Sequence, residues 1–186
     1  FKGSKAYVCV EIYSGIAGVH DNVFENNLSH AGALLVGHGG GTILGNVFRN
    51  NHSTEHGGAM QVASWKPFLI ADNIVTGNTA TYGAGINLLG SRFAVVRNNL
   101  IVDNHAAQYG GGIYLANDDA YRSIIHDNTI VNCTSGNNGG GGICFGGCYV
   151  DSAFNNIIVD CGGYGIWAAN SVDCYFDYNR LSNTTP

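Results

Sequence analysis

The sequence predicts an all-β solenoid, a right-handed parallel β-helix of about six coils with three short strands to a coil, Asn ladders at the turns and no capping helix. Three observations predict it. An Asn followed two residues later by an apolar residue recurs along the whole chain, as NVFENN from Asn22, NVFRNN from Asn46, NIVTGN from Asn73, NLIVDN from Asn99, NTIVNC from Asn128, NIIVDC from Asn156 and a degenerate NRLSNT from Asn179. Bare residues recur in front of a short apolar segment, as in EHGGAMQV at 55–62. The composition is unusual for a globular chain, with 28 glycines and 2 prolines in 186 residues, 45% hydrophobic and only 11% charged.

The elements follow in order within each repeat. The repeated Asn residues stand 24, 27, 26, 29, 28 and 23 residues apart, a drift that assigns each copy to one coil with loops of variable length. A first strand has an apolar residue three before the Asn: Val19, Ile43, Ile70, Val96, Ile125, Ala153 and Phe176. A second has one two after it: Phe24, Phe48, Val75, Ile101, Ile130, Ile158 and Leu181. A third follows the glycines: LLV at 34–36, MQV at 60–62, INL at 86–88, IYL at 113–115, ICF at 143–145 and IWA at 166–168. Each is a short period-two segment whose outer members face inward. A coil this short leaves no room for a crossover helix, so strands of successive coils pair in parallel. The glycines mark the bend into the third strand, where a side chain would crowd the next coil. Residues 6–10 read as a third strand lacking its turn, and residues 1–186 read as one domain with incomplete coils at both ends.

The Asn column reads as a ladder whose side-chain amides satisfy turn backbone, in preference to a catalytic or metal role. A second ladder lies five residues on, at Asn27, Asn51, Asn78 and Asn104, continued by Cys133, Cys161 and Thr184. The net charge of −5 with scattered basic residues argues against nucleic acid or an anionic membrane as partner. No apolar run approaches the ~20 residues of a membrane span. The chain opens without an initiator Met or leader and reads as mature or excised.

The alternation of FxxN (Phe24 with Asn27, Phe48 with Asn51) and GGA[ILM] (Gly57 to Met60, relaxed to AGAL, GAGI and GGGI elsewhere) resembles the repeat of polymorphic outer-membrane and adhesin-type β-helices. More broadly the chain resembles the pectin-lyase-like superfamily over nearly its whole length. That resemblance implies the fold; the same fold hosts lyases, glycosidases, epimerases, tailspikes and non-catalytic surface proteins.

Column positions sort the cysteines. Cys133 and Cys161 share a column on adjacent coils and are disulfide candidates, as more weakly are Cys148 and Cys174 in one inter-strand turn; stacked free thiols are the alternative. Cys9 stands apart and Cys144 is expected to point outward. Cysteines so placed suggest an oxidising setting, extracellular or at the cell surface. Of the N-x-[ST] sequons, Asn27 and Asn51 belong to the inward ladder, leaving Asn132 and Asn183 as glycosylation candidates against chance occurrence.

Signals for catalysis are thin. Gly37-His38-Gly39 is similar to the GHG element of polygalacturonase-type hydrolases, and Asp118 with Asp119 to their paired acids, but their order along the chain is reversed and the companion motifs are lacking. A flexible turn and a solvated loop account for both. A lyase of this fold needs a Lys or Arg base, often beside Ca2+. Lys66, Arg92 and Arg122 fall in turns after the third strand on successive coils and would line one groove, or serve as surface charges. A column of Asp21, Asp72 and Asp127 beside the first ladder offers carboxylates to a cation such as Ca2+, with turn capping as the other reading; no metal site is assigned.

Two outward columns suit polysaccharide. Leu35, Gln61, Asn87, Tyr114, Cys144 and Trp167 alternate with the buried members of the third strand and are expected to form one exposed stripe. His30, His56, Tyr82, Tyr109, Asn138 and Tyr164 precede the small residues and form another. Aromatic faces with amide neighbours match sugar rings, and stacked rings also stabilise a β-helix unaided. The ends are complementary: a coil running from Asn179 into Asn22 of a following copy would span 29 residues, as the longest coil here does. The expected partners are therefore copies of the chain, or adjoining coils, end to end. The function expected is a non-catalytic structural or adhesive module, stacking head to tail; the alternative is a polysaccharide lyase or glycosidase fragment.

Overall fold

A computed structural model describes residues 1–116, 121–137 and 139–184. Asp118 and Asp119 lie outside the described residues, as does Asn138. The chain winds as a parallel β-solenoid through four sheets, and all the regular elements among the described residues are strands. Sheet I opens with Val10–Tyr13 and closes with Ile166–Ala169, sheet II runs from Ile16–His20 to Tyr175–Asp177, and sheet III from Val23–Glu25 to Arg180–Ser182, each with seven strands. Sheet IV, of five short strands, runs from Leu28–Ser29 to Thr134–Ser135.

Sheet IV corrects the expected three strands per coil. Its inward residues are small, with Ser29, Ser53, Ala80 and Ala106 buried, and its strands are as short as two residues, so no apolar alternation marks them. The first strand of sheet I is Val10–Tyr13, pairing in register with Leu34–Gly37, rather than residues 6–10. Residues 1–5 instead bridge to sheets III and IV, through Lys2 to Glu25 and Lys5 to Leu28.

The core is a set of columns running along the axis. Phe1, Phe24 and Phe48 stack at 4.9 and 4.5 Å between ring centroids, and the column continues through buried Val75, Ile101, Ile130 and Ile158. Each such residue, once buried, contributes about 1.5–3 kcal/mol.

The corners carry the polar residues. At the corner between sheets II and III, Asn46 donates through its backbone N–H and Nδ2 to Asn73 Oδ1 at 2.9 and 3.1 Å, and Asn73 repeats this toward Asn99 at 3.0 and 2.9 Å. The ladder therefore has a direction, with N–H groups facing the C-terminal end and Oδ1 atoms the N-terminal end. The corner between sheets III and IV repeats it from Asn27 through Asn104, whose amide reaches Cys133 Sγ at 3.8 Å. The residue before each rung takes a left-handed backbone, as at Asp21, Asp72 and Asp127, so that the Asp column serves the turn. At the corner between sheets IV and I, Gly57 has φ +60°, and a Cβ on Gly58 would sit 2.5 Å from the Ala84 carbonyl oxygen. A fourth column, Ser64, Ser91, Ser123 and Asp151, closes the corner between sheets I and II.

Candidate functional site

The stripe expected on the outside of sheet I is largely covered. Gln61 is 7% exposed, and Asn87 and Cys144 are 0% exposed, which corrects their assignment as open surface. The glycine corner is the physical reason. A Cβ on Gly83 would lie 2.8 Å from Asn87 Cβ, and one on Gly110 2.5 Å from Tyr114 Cβ, so the chain entering sheet I folds back over its outer face. The ring column of that corner then roofs the stripe. His56, Tyr82 and Tyr109 follow one another at 5.1 and 6.2 Å between centroids, and Trp167 continues the column on Tyr109 at 5.4 Å. Tyr114 packs beside Tyr82 and Tyr109, Tyr82 Oη donates to Gln108 Oε1 at 3.0 Å, and Asn87 Nδ2 meets His56 Nδ1 at 3.2 Å. Burial lowers the pKa of His56 and raises that of Tyr114. Rings stacked face to face spend their faces on one another, so this column offers solvent mainly edges.

A second ring cluster, which column-by-column reading did not single out, stands on the corner between sheets I and II. Tyr13, His38 and Trp65 follow one another on three successive coils at 5.2 Å between centroids, each contact edge to face at 75° and 79°. Tyr13 and Trp65 are 67% and 60% exposed, and His38 is exposed between them. Glycines form the floor: the Tyr13 ring lies over Gly37, and the Lys66 side chain over Gly40. The ring sequence was hidden because Tyr13 ends a strand, His38 follows one directly and Trp65 stands two residues beyond one.

The basic sequence candidates fall along the same corner. Lys66 and Arg122 are exposed; Arg92 bridges to Tyr121 and its backbone N–H donates to Ser64 O at 2.7 Å. The Arg122 guanidinium lies 4.8 Å from the centroid of the Tyr121 ring, which packs edge-on against Phe93. The structure thus places these cations along one edge. Beneath them Asp151 is buried; its Oδ1 accepts from Ser123 N–H at 2.5 Å, and burial pushes its pKa up to about 6. Among the described residues no group of three or more His, Cys, Asp or Glu side chains is placed to hold a metal ion.

All six cysteines are free thiols. Cys133 and Cys161 do stack on adjacent coils, but their sulfurs copy the ladder amides: Cys133 Sγ points to Val131 O at 3.5 Å and Cys161 Sγ to Val159 O at 3.5 Å. Burial raises the pKa of Cys133, while the hydrogen bond between the thiols lowers that of Cys161. Cys174 Sγ points to Cys148 O at 3.8 Å, and Cys148 Sγ to Leu115 O at 3.6 Å. Of the sequon residues, Asn132 and Asn183 are exposed at left-handed turn positions and Asn27 and Asn51 are buried.

A family model described as the right handed beta helix region matches residues 8–181. Neither the comparison with curated proteins nor that with solved structures returns a match.

Proposed function

The chain belongs to the right-handed β-helix family, and from that premise we propose that it is a non-catalytic structural or adhesive module, extracellular or at the cell surface, which holds polysaccharide on the corner carrying Tyr13, His38 and Trp65. The observation that carries this reading is the edge-to-face arrangement of three exposed rings on consecutive coils. Edge-to-face packing leaves ring faces open, and the faces of sugar rings stack on such surfaces while their hydroxyls keep water or polar partners. Successive coils lie ~4.8 Å apart, a spacing close to the length of one hexose unit in an extended glycan. A rigid coil therefore presents ring sites in step with a polymer, with Lys66 adding a cation beside them.

The named polar groups have structural employment, in support of a scaffold rather than a catalyst. His38 is clasped between Tyr13 and Trp65, and Arg122 lies over Tyr121. Exposed Asn132 and Asn183 suit an extracellular chain that carries N-glycans. Retention of the purified domain on a panel of neutral and acidic polysaccharides, by affinity electrophoresis, tests the reading. Trp65→Ala and Tyr13→Ala are each expected to weaken retention about tenfold, since a stacked ring contributes on the order of 1 kcal/mol or more. Trp167→Ala should leave it nearly unchanged. Retention indifferent to both corner substitutions would overturn the assignment.

The second reading, a polysaccharide lyase or glycosidase, is favoured by Lys66, Arg92 and Arg122 lying along one edge. Release of new sugar ends from the same panel, with or without Ca2+, and its loss on substitution of these three residues would establish that reading instead.

A further inference from the structure

The two ladders bracket sheet III at a constant distance. Asn73 and Asn78 stand five residues apart, as do Asn99 with Asn104, Asn128 with Cys133 and Asn156 with Cys161, although whole coils differ in length. The strands between them, Ile74–Thr76, Leu100–Val102, Thr129–Val131 and Ile157–Val159, each bury the middle residue and turn the other two outward. The result is a regular face two side chains wide. Ile74, Leu100, Thr129 and Ile157 pair in register along one side of it, and Thr76, Val102, Val131 and Val159 along the other, with no charged residue among them. Ile74, Leu100 and Ile157 are 43%, 41% and 42% exposed, an aliphatic stripe open to water.

Charge is confined to the two rims, and it alternates between them. The left-handed residue before each rung is Asp72, Asn98, Asp127 and Asn155 on the rim toward sheet II, and Gly77, Asp103, Asn132 and Asp160 on the rim toward sheet IV. Each of these coils therefore places one carboxylate beside the stripe, on alternate sides, and all of these carboxylates are exposed. Neighbours hold three of them. Asn132 Nδ2 donates to Asp103 Oδ1 at 2.6 Å, Asn183 Nδ2 donates to Asp160 Oδ1 at 2.8 Å, and His126 Nδ1 lies 2.7 Å from Asp127 Oδ2. Arg97, next to the first rim in sequence, belongs to the outer face of sheet II, where it pairs with Ala71 and His126.

The surroundings of the stripe select its occupant. These strands are hydrogen-bonded on both sides, so no edge is open to an added strand and a partner must dock through side chains. A second copy laid face to face would set acid rim against acid rim, and an anionic membrane is repelled by the same carboxylates. A face without rings offers sugars no stacking surface. We infer that the outer face of sheet III between Asp72 and Asp160 docks a cationic amphipathic helix of a partner protein, its apolar side on Ile74, Leu100, Val131 and Ile157 and its Lys or Arg side chains on the carboxylates of both rims. A helix laid along the solenoid axis has the right dimensions: at ~10 Å across it spans the stripe and reaches both rims, and four coils spaced ~4.8 Å apart match about three helical turns. This site is independent of the polysaccharide reading, which concerns the corner between sheets I and II.

A glycan on Asn132 would stand on the rim toward sheet IV, so the test uses the chain made in a bacterial host. The probe is a fluorescent synthetic peptide of about 14 residues with a leucine stripe flanked by lysines, and its anisotropy reads binding. Saturable binding is expected, weakening as salt is raised and absent for the same peptide with glutamates in place of the lysines. Asp103→Asn combined with Asp127→Asn should weaken it about tenfold, and Leu100→Lys should abolish it. Asn already holds the same left-handed positions in neighbouring coils and residue 100 faces outward, so these variants keep the fold. Glu11→Gln combined with Asp173→Asn, which removes two exposed charges elsewhere, should change nothing. No binding of the lysine peptide at ~1 mM, binding of the glutamate peptide, an equal loss with the Glu11 and Asp173 pair, or indifference to Leu100→Lys would each overturn the proposal. So would a dimer in sedimentation velocity that Leu100→Lys converts to monomer, since a second copy would then occupy the face. Should Leu100→Lys lose its β-sheet circular dichroism, the wild-type protein decides: the methyl resonances of Leu100 and Ile157 shift with the lysine peptide if it covers the stripe and stay in place if it does not.

Discussion

Trp167 lies flat on Tyr109 across an intervening coil, with ring centroids 5.4 Å apart and planes within 6°. That coil offers Gly139 opposite Tyr109, and Cys144 opposite both Tyr114 and Trp167. A large side chain at either position would part the rings. The contact turns an outward-facing cysteine into a buried one and raises its pKa through burial.

Reaction of the native protein with a thiol reagent should leave Cys144 among the protected residues, and Trp167→Ala should speed its labelling at least about tenfold, because thiolate formation and access govern the rate. Peptide mapping of the labelled protein gives the answer, and unchanged protection of Cys144 would mean that the ring is not its cover.

The ladder should weaken unequally along its length. Asn73→Ala removes the oxygen that accepts Asn46 N–H and Nδ2 in a buried setting, and takes away the donor to Ile43 O. Unpaired buried groups cost about 1–3 kcal/mol each, so urea denaturation should show a loss on the order of 2–4 kcal/mol. Asn22→Ala, at the partly exposed first rung, should cost about 1 kcal/mol or less, since water can replace the lost bonds.

The glycine corner has little slack. On Gly58 a Cβ would approach the Ala84 and Thr79 carbonyl oxygens at 2.5 and 2.7 Å, both of them backbone. Gly58→Ala should therefore destabilise by about 1–3 kcal/mol, the usual range for overpacking, although alanine by itself favours order over glycine. A melting temperature equal to that of the wild type would show that adjacent coils can separate locally.

Asp151 should give the fold a pH dependence of recognisable sign. Its folded pKa is raised from 3.8 to about 6, so between these values the folded state holds a proton that the unfolded chain has released. Stability falls as pH rises through that window and is level above it. The ceiling is about 3 kcal/mol for a shift of some two units, reduced by whatever solvent screening reaches the carboxylate. Asp151→Asn keeps an acceptor for Ser123 N–H and cannot ionise, so it should be more stable than the wild type at pH 7 and lack the decline between pH 4 and 6. Urea midpoints at the two pH values measure both effects.

The sequence by itself determined the coil, the strands of three sheets and both ladders. Asn22 through Asn179 recur at coil-length intervals, and each carries inward apolar residues at fixed offsets, because any residue in a stacked column sees nearly the same neighbours as its counterparts. Repetition made the period legible without any single strong strand. The tertiary structure alone decided the fourth sheet and what the corners cover or bring together. Sheet IV escaped notice because two-residue strands with inward Ser29 and Ser53 carry no apolar signal. Gln61, Asn87 and Cys144 alternate correctly yet are buried, because alternation states which side of a strand a residue takes and not what the next corner folds over it. Tyr13, His38 and Trp65 meet for the converse reason: they hold different offsets from their strands, and only the paths of three unequal turns bring their rings into one cluster.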